Sequence, residues 1–389
     1  MGDNCLSDFG SSIKTDPWLV ICFRTVSLDL SRFCICFLPF SVFMEQLLDA
    51  ADTGDLEALQ TAFDGLPAVR GTTALTQRRK ILGKALYSTI CTWRSGCPRS
   101  CGHFACFEFL LTAGADVKYK SDKEQYTCLH RAMDAHRPMP YVRLLTAHGA
   151  DLEARDWLGV SPLAAACSGD KPECVVHLLE AGAERDALIC GGSTALHFAC
   201  TGPSLPCIKI FLEGGVSVDS RSGDGYTPLH SACEVGDVDT VTYLLQRGAD
   251  KELTTTGGDG VTALHLACRD GHSECVRLLV VNGANKDATD NDGLTPLMYA
   301  VLSRLSTCVK VVKVLIKNDV NVNVRVRGPS KETALHKAVD LVLDWDPQIP
   351  LKLIKLLAPL SSPEIIKEAI SEAVSVEVRE LLQSYLDES

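Results

Sequence analysis

One start signal recurs seven times along this chain at a nearly constant interval. Each copy is a Thr or Ser, a small residue or Pro, a Leu and usually a His: Thr127-Cys-Leu-His130, Ser161-Pro-Leu-Ala164, Thr194-Ala-Leu-His197, Thr227-Pro-Leu-His230, Thr262-Ala-Leu-His265, Thr295-Pro-Leu-Met298 and Thr333-Ala-Leu-His336. Successive copies are 34, 33, 33, 35, 33 and 38 residues apart. A fixed period of this length predicts an array of one structural unit.

The unit that starts at Thr262 shows what each copy contains. Thr262 is a good helix N-cap residue, and Gly271 and Gly283 are suited to end a first and a second helix. Between these residues, apolar side chains fall at helical spacing: Leu264, Ala267, Cys268, Cys275, Val276, Leu278 and Leu279. Because two short helices cannot bury their own apolar faces, each unit is expected to stack on its neighbours.

A period near 33 residues with a T-P-L-H-x-A start is similar to that of the ankyrin-repeat family. Seven clear units run from about Gln125 to Pro359, and degenerate units extend the resemblance from Met44 to Leu386. The resemblance implies an all-α solenoid of stacked helix pairs, with hairpin-like loops that project at right angles and form a concave face. The predicted divisions are an N-terminal extension (1–43), capping and degenerate repeats (44–118), seven repeats (119–360) and a C-terminal capping helix pair (361–389).

Eighteen cysteines are many for a chain of 389 residues. Seven of them recur in phase, at six or thirteen residues after the start of a unit: Cys167, Cys200, Cys233, Cys268, Cys174, Cys207 and Cys275. Those positions face the core of a helix pair, so cysteine is expected there as a small buried side chain in a reducing compartment. A disulfide ladder is the alternative.

Residues 1–43 do not fit the repeats. Their apolar stretches, Trp18–Phe23 and Phe33–Phe43, are too short to span a bilayer, which requires about twenty residues. One hypothesis is a reversible membrane anchor acylated at Cys34 and Cys36. The other is an extension without ordered structure, or an artefact of the gene model, since Met44 opens a normal capping helix pair that ends at Leu66.

The degenerate unit at 67–118 is predicted to have helices at Gln77–Trp93 and Phe104–Thr112. Four cysteines and one histidine occur there within sixteen residues: Cys91, Cys97, Cys101, His103 and Cys106. Such a set can hold zinc, although this spacing matches no known finger. Burial of the cysteines nearest the helices is the alternative, and no metal or other cofactor is the main expectation.

Four further departures from the repeat are visible. The loop before Thr262 is two residues longer than its neighbours, and the loop before Thr333 is longer and locally basic. The unit that starts at Thr295 lacks an inter-helix glycine, which predicts a longer helical part at Val301–Lys317. The last clear unit carries an insertion at Asp344–Pro347, and Ser362-Pro363 then predicts a final helix pair. Fewer than thirty residues follow the repeats, too few for a ubiquitin-ligase box or a death-type domain.

Motifs of catalysis are absent from the sequence: it has no phosphate-binding glycine loop, no G-x-S-x-G and no H-E-x-x-H. The histidines of the start signal recur in phase with the repeat, which indicates a structural role. In the family such an imidazole forms hydrogen bonds within and between neighbouring units. Replacing one with Ala is therefore expected to cost stability, about 1–3 kcal/mol for a buried donor left unpaired.

The candidate binding residues lie at the loop tips. Trp157 stands where a polar residue would serve folding equally well, and tryptophan is enriched in binding hot spots; the alternative is that it packs on a neighbouring loop. The full predicted set is Lys123, Glu124, Tyr126, Trp157, Leu158, Asp224, Tyr226, Asp259, Asn291 and Asp292. Separately, the segment around Asn321 resembles ankyrin loops that are hydroxylated on asparagine, although an ordinary turn asparagine explains it as well.

These observations predict a non-enzymatic scaffold or adaptor that binds a protein partner on its concave face. The net charge of −11 argues against nucleic acid as the partner. The chain is expected to be a monomer in the cytoplasm or nucleus. Two alternatives stay open: an adaptor tethered to a membrane through residues 1–43, and a substrate-recruiting subunit of a ubiquitin ligase or signalling complex.

Overall fold

The computed structural model describes residues 40–66, 72–90, 102–135, 137–202, 204–327, 331–344 and 348–388. The chain divides into two compact units, residues 1–150 and 151–389. Helices make up both units, and the described residues contain no strand beyond two isolated bridges, Lys120 with Thr127 and Thr254 with Thr262. None of the described helices is long and apolar enough to cross a membrane.

The first unit contains six described helices: α1 (Phe40–Thr53), α2 (Leu56–Asp64), α3 (Thr72–Ser88), α4 (His103–Thr112), α5 (Cys128–Met133) and α6 (Pro138–Ala147). Helix α1 begins at Phe40, so the predicted boundary at Met44 lies four residues too late. Residues 1–39, which include Cys34 and Cys36, lie outside the described part of the chain. Helix α4 matches its prediction within one residue.

The predicted helix at Gln77–Trp93 is placed differently in the structure. Helix α3 begins five residues earlier, at Thr72, and ends at Ser88. Its end is tightened by Ile90, whose N–H donates to the carbonyl of Tyr87, and by Thr89, whose hydroxyl donates to Leu86. Both side chains are fully buried. Packing therefore sets the end of this helix. The unit lacks the start signal of the other units, so the sequence gives no local mark for the bounds of the helix.

The second unit contains fourteen described helices, arranged in pairs: α7 (Pro162–Ser168), α8 (Pro172–Glu180), α9 (Ala195–Thr201), α10 (Leu205–Glu213), α11 (Pro228–Val235), α12 (Val238–Gln246), α13 (Ala263–Arg269), α14 (Ser273–Val281), α15 (Pro296–Leu302), α16 (Cys308–Lys317), α17 (Ala334–Asp344), α18 (Gln348–Leu357), α19 (Pro363–Glu372) and α20 (Val376–Glu388). The first helices of successive pairs, α7, α9, α11, α13, α15 and α17, pack on one another in chain order.

The predicted longer helix at Val301–Lys317 is wrong, because α15 and α16 are separate helices. Arg304 lies between them with a φ of 53°. It stands nine residues after its start signal, as Gly236 and Gly271 do after theirs, and those glycines have φ values of 83° and 76°. Arg304 thus adopts the left-handed conformation of the missing glycine, and the helix pair keeps its ordinary turn.

The in-phase cysteines lie in the core, as predicted. Cys167, Cys200, Cys233 and Cys268 on the first helices are fully buried, and so are Cys174, Cys207 and Cys275 on the second helices. All seven are free thiols, which removes the disulfide ladder for these residues. Each therefore acts as a small apolar side chain between stacked helices.

A ladder of hydrogen bonds joins the loops that follow the second helices of the second unit. At five of the six steps a side-chain oxygen of one loop accepts a backbone N–H from the next loop, at 2.8–3.0 Å: Glu153 from Glu184, Asp219 from Asp250, Glu252 from Asn285, Asp287 from Asn321 and Asn323 from Ser362. At the remaining step the Arg185 side chain donates to the carbonyl of Gly214. The ladder fixes each loop against its neighbours, and thereby positions the tips that follow.

Candidate functional site

Three histidines of the start signal, His197, His230 and His265, tie their unit to the next one. The backbone N–H of Thr227 donates to Nδ1 of His230 at 3.1 Å, and Nε2 of His230 hydrogen-bonds the carbonyl of Val261, in the following loop, at 3.2 Å. His197 and His265 make the same pair of contacts, to the carbonyls of Tyr226 and Leu294. The structural role predicted for these residues is confirmed.

These contacts require neutral imidazoles. An acceptor at Nδ1 and a donor at Nε2 define one neutral tautomer. Burial lowers the pKa of His230 to about 4 and also lowers the pKa of His197 and of His265. A neutral imidazole with both nitrogens engaged in the fold has no nitrogen left for proton transfer, so these residues hold loops together.

The loop tips of the second unit are joined by main-chain hydrogen bonds. The N–H of Gly223 donates to Gly191 O at 3.2 Å, and the N–H of Thr256 donates to Asp224 O at 2.8 Å. Further along, Asn291 donates to Asp259 O at 3.0 Å and Arg327 to Asp292 O at 3.2 Å. The tips from Gly191 to Arg327 therefore form one continuous row, and the Trp157 tip precedes it at the start of α7, which packs on α9.

A glycine two residues before the start signals at Thr194, Thr227, Thr262 and Thr295 allows this close approach. Gly192 has a φ of 70°, and a Cβ on it would lie 2.6 Å from Gly223 Cα. Gly225, Gly260 and Gly293 hold the same position and meet the following tip in the same way. Only glycine adopts this conformation at no steric cost and leaves room for the next backbone.

Trp157 and Leu158 form an exposed apolar tip in the second unit. The Trp157 side chain is 64% exposed and the Leu158 side chain 48%. The buried carboxylate of Asp156 fixes the turn, because it accepts the N–H of Leu158 at 2.9 Å and of Val160 at 2.7 Å. The alternative that Trp157 packs down on a neighbouring loop is therefore wrong.

The other predicted tip residues of the second unit divide into two groups. Asp224, Asp259 and Asp292 are exposed. Asn291 is exposed too, but its side-chain amide donates to Gly258 O at 2.7 Å and so helps to join two tips. Tyr226 is half-buried, with its ring 5.7 Å from that of His230, which places it with the supporting residues.

The candidate residues of the first unit lie on a single loop. Lys123 and Glu124 are exposed at its tip. Tyr126 is half-buried, its N–H donates to Ser121 Oγ at 3.1 Å, and its ring lies 5.5 Å from that of His130. Gln125, between them, has a φ of 52° and occupies the position that glycine takes elsewhere. This tip therefore presents charge but no large apolar side chain.

Sequence reasoning missed two features of the second unit. Asp290 is a buried carboxylate that accepts the N–H of Leu294 at 2.7 Å and the hydroxyl of Tyr299 at 2.9 Å. Like Asp156, it stands five residues before a start signal, and that spacing is the clue the sequence offered. The second feature is Arg269, whose guanidinium pairs with Glu234 on α11 and with Asp270.

Only part of the predicted zinc cluster can be placed. Cys91, Cys97 and Cys101 lie outside the described residues. His103 is buried and its Nε2 hydrogen-bonds the carbonyl of Asp52 at 2.7 Å, while Cys106 is fully buried on α4. Across the described ranges, no group of three or more His, Cys, Asp or Glu side chains is placed to hold a metal. These contacts give His103 a structural role.

Asn321 lies in the loop that follows α16. It is exposed, its N–H donates to Asp287 Oδ1 at 2.8 Å, and its Oδ1 accepts the N–H of Asn323 at 3.0 Å. These are the bonds of an ordinary turn asparagine within the loop ladder. Its hydroxylation stays a prediction.

Stacked helix pairs with a continuous row of loop tips define a helical repeat protein. A family model described as ankyrin repeats, in three copies, matches residues 99–189, 163–255 and 251–326, more than half of the chain. The chain belongs to the ankyrin-repeat family. Ankyrin repeats are protein–protein interaction modules and are typically non-enzymatic.

Two comparisons with individual proteins agree with this family. The crystal structure of the human ASB11 ankyrin repeat domain is similar at a TM-score of 0.50 and 25% sequence identity, over 61% of this chain and 97% of that one. Protein phosphatase 1 regulatory subunit 27 of Homo sapiens and of Mus musculus is 46% identical over 46 residues, which are 12% of this chain. The match spans 30% of the length of those relatives.

Proposed function

We propose that this chain is a non-enzymatic adaptor that binds a partner protein at the loop tips of its second unit, with the Trp157 tip as the central contact. The exposure of Trp157 and Leu158 on a turn fixed by a buried carboxylate carries the proposal. An exposed aromatic side chain on a rigid turn buries a large area on binding at a small cost in conformational entropy. The similarity to the phosphatase regulatory subunits spans 30% of their length and gives no support for a phosphatase as the partner.

A quantitative pull-down from native lysate tests the proposal, with the full chain as bait and bound proteins identified by mass spectrometry. Trp157→Ala is expected to remove at least one specifically captured protein, because hot-spot residues contribute about 2 kcal/mol or more to binding. Its effect on folding is expected to be small, within about 0.5 kcal/mol, since the side chain is mostly exposed.

The matched control is Val281→Ala, which shortens a side chain that is 66% exposed at the end of α14, away from the tips. This variant is expected to capture the same proteins as the unaltered chain. If Trp157→Ala and Val281→Ala captured identical sets in identical amounts, the Trp157 tip would not be the contact and the proposal would be wrong.

A further inference from the structure

Three carboxylates follow the Trp157 tip along the row of loop tips. Asp224, Asp259 and Asp292 are exposed, and the backbone carbonyl of each accepts a hydrogen bond from the next tip. Among the residues that the structure describes, none of these three carboxylates has an ion pair or a side-chain hydrogen bond within the chain. Their backbones are therefore held in place while their charges stay available to a ligand.

Two cations of this region, Arg221 and Arg269, bond to other groups. The guanidinium of Arg221 is turned to the carbonyls of Thr254, at 2.9 Å, and Gly225, at 3.4 Å. Arg269 on α13 is already paired with two carboxylates, Glu234 and Asp270. The row ends at Arg327, an exposed cation one tip beyond Asp292. The acidic part of the row thus begins at Asp224 and ends at Asp292.

Between Trp157 and Asp224 the row has little side-chain bulk. The intervening tip contains Gly191 and Gly192, and it contacts Gly223 of the following tip. The loop that carries Trp157 is joined to this intervening loop by the bond from Glu184 N–H to Glu153. The row therefore runs from an apolar end, across exposed backbone, to an acidic end.

The spacing of the tips follows from helix packing. The tips lead into the first helices α7, α9, α11, α13 and α15, which pack in sequence, and packed helices lie about 8–10 Å apart. An extended chain advances about 3.3 Å per residue. Neighbouring tips are thus separated by about three residues of an extended peptide, and Trp157 lies about twelve such residues from Asp292.

We propose that this row binds an extended segment of a partner protein that carries an apolar side chain at one end and basic side chains about three residues apart at the other. The apolar side chain packs on Trp157 and Leu158, the main chain crosses the glycine tips, and the basic side chains pair with Asp224, Asp259 and Asp292. This inference rests on the proposed function and adds the chemistry of the partner.

The probe is a fluorescein-labelled 13-residue peptide with Leu at position 1 and Lys at positions 7, 10 and 13, a spacing of about three residues per tip. Its other positions are Ala, Ser and Thr. A second peptide has the reversed sequence, because the partner segment can cross the tips in either chain direction. A third has the same composition with its lysines adjacent. Fluorescence anisotropy with the full chain is expected to show binding at least tenfold tighter for one spaced peptide than for the third.

The test variant is Asp224→Asn/Asp259→Asn/Asp292→Asn, and its matched control is Glu180→Gln/Glu213→Gln/Glu380→Gln, which neutralises three exposed carboxylates on helices. Both variants have the same net charge, so general attraction of a cation to an acidic chain changes equally in both. The test variant is expected to weaken binding about tenfold, the sum of three exposed ion pairs. Binding to the test variant is also expected to lose most of its dependence on salt concentration. The control variant is expected to keep both the affinity and the salt dependence of the unaltered chain.

Three outcomes would overturn the inference: equal weakening by both variants, equal binding of spaced and adjacent lysines, or no binding of any peptide. A chain that instead bound an acidic peptide of the same length would also contradict it. None of these outcomes contradicts the proposed function. The pull-down tests that function by itself, because loss of a captured protein in Trp157→Ala does not depend on the charge of the partner.

Discussion

At the scale of single residues, the buried histidines combine a structural role with a sensitivity to pH. His197, His230 and His265 each accept a hydrogen bond at Nδ1 from the backbone of their own unit and reach the following loop through Nε2. A proton on Nδ1 would remove the acceptor and place a charge in a buried site. The same geometry that joins two units therefore makes the joint dependent on a neutral imidazole.

We predict that the chain loses stability as the pH falls from about 6.5 toward about 4. Burial lowers the pKa of His230 to about 4, so between that value and the ordinary value of about 6.5 the unfolded chain binds more protons than the folded chain. For His230 alone, the free energy of unfolding is expected to be ~2 kcal/mol lower at pH 5 than at pH 8. Urea unfolding at the two pH values measures this difference.

The comparison uses His230→Asn, which removes the titrating group, and His148→Ala, which removes the exposed histidine that caps the C-terminus of α6. His230→Asn is expected to be less stable at pH 8 and to show a smaller pH dependence. His148→Ala is expected to keep the pH dependence of the unaltered chain. Identical pH dependence in the two variants would show that His230 is not the group that titrates.

At the scale of the elements, the turns and loop tips depend on a left-handed residue at fixed distances from the start signal. Two residues before it, glycine is the usual choice, but Gln125 and Lys331 adopt the same conformation, with φ values of 52° and 47°. Nine residues after it, Asp170 and Arg304 do the same. The conformation is thus imposed by the stack, and glycine is the residue that adopts it at the lowest cost.

Two adjacent glycines, Gly191 and Gly192, allow two energetic costs to be measured separately. One is the cost of a left-handed backbone in a residue other than glycine, and the other is the cost of a Cβ that clashes with the next tip. Both have positive φ, 63° and 70°, but a Cβ on Gly191 would meet nothing within 4 Å. We predict that Gly191→Ala lowers the free energy of unfolding by about 1 kcal/mol. Gly192→Ala is expected to lower it by roughly 2–3 kcal/mol, because its Cβ would press on the backbone of the next tip. Chemical denaturation compares the two, and equal losses would contradict close contact between the tips.

Much of the second unit could be predicted from the sequence because its signals are local. A Thr caps the helix that directly follows it, and apolar residues at helical spacing mark the buried face of that same helix. Because both signals act within about one turn, the start signals predict the first helices correctly. The end of α3 could not be predicted, since it is set by the burial of Thr89 and Ile90. The role of Asn291 could not be predicted either, because its partner Gly258 lies 33 residues earlier and meets it only in the stack.

At the scale of the whole molecule, the core of the chain is unusually rich in thiols. The free cysteines that the structure describes are all buried: Cys106, Cys128, Cys167, Cys174, Cys200, Cys207, Cys233, Cys268, Cys275 and Cys308. Burial raises the pKa of Cys128 to about 12 and of Cys174 and Cys275 to about 11. Since the thiolate is the reactive form, the raised pKa of these three thiols adds to the effect of burial. The pKa of Cys207 is instead lowered by its hydrogen bond with Cys167, so burial alone protects that thiol.

We predict that iodoacetamide modifies these ten cysteines slowly in the folded chain and rapidly after denaturation. Mass spectrometry of the digested protein measures modification at each cysteine separately. The variant Glu180→Cys places a thiol at an exposed site of α8 and serves as the internal standard for a fast reaction. Rapid labelling of Cys200 or Cys233 in the folded chain would contradict their burial.

The main-chain joints between loop tips separate the residues that determine the shape of the second unit from the exposed side chains that we propose select its partner. A backbone N–H bonded to a backbone carbonyl places no demand on the side chain beside it. Asp224, Asp259 and Asp292 can therefore change in evolution, or by design, while the joints formed by their backbones persist. Recognition can be altered one position at a time on an unchanged framework, and a chain of this kind can acquire a new partner without first becoming unstable.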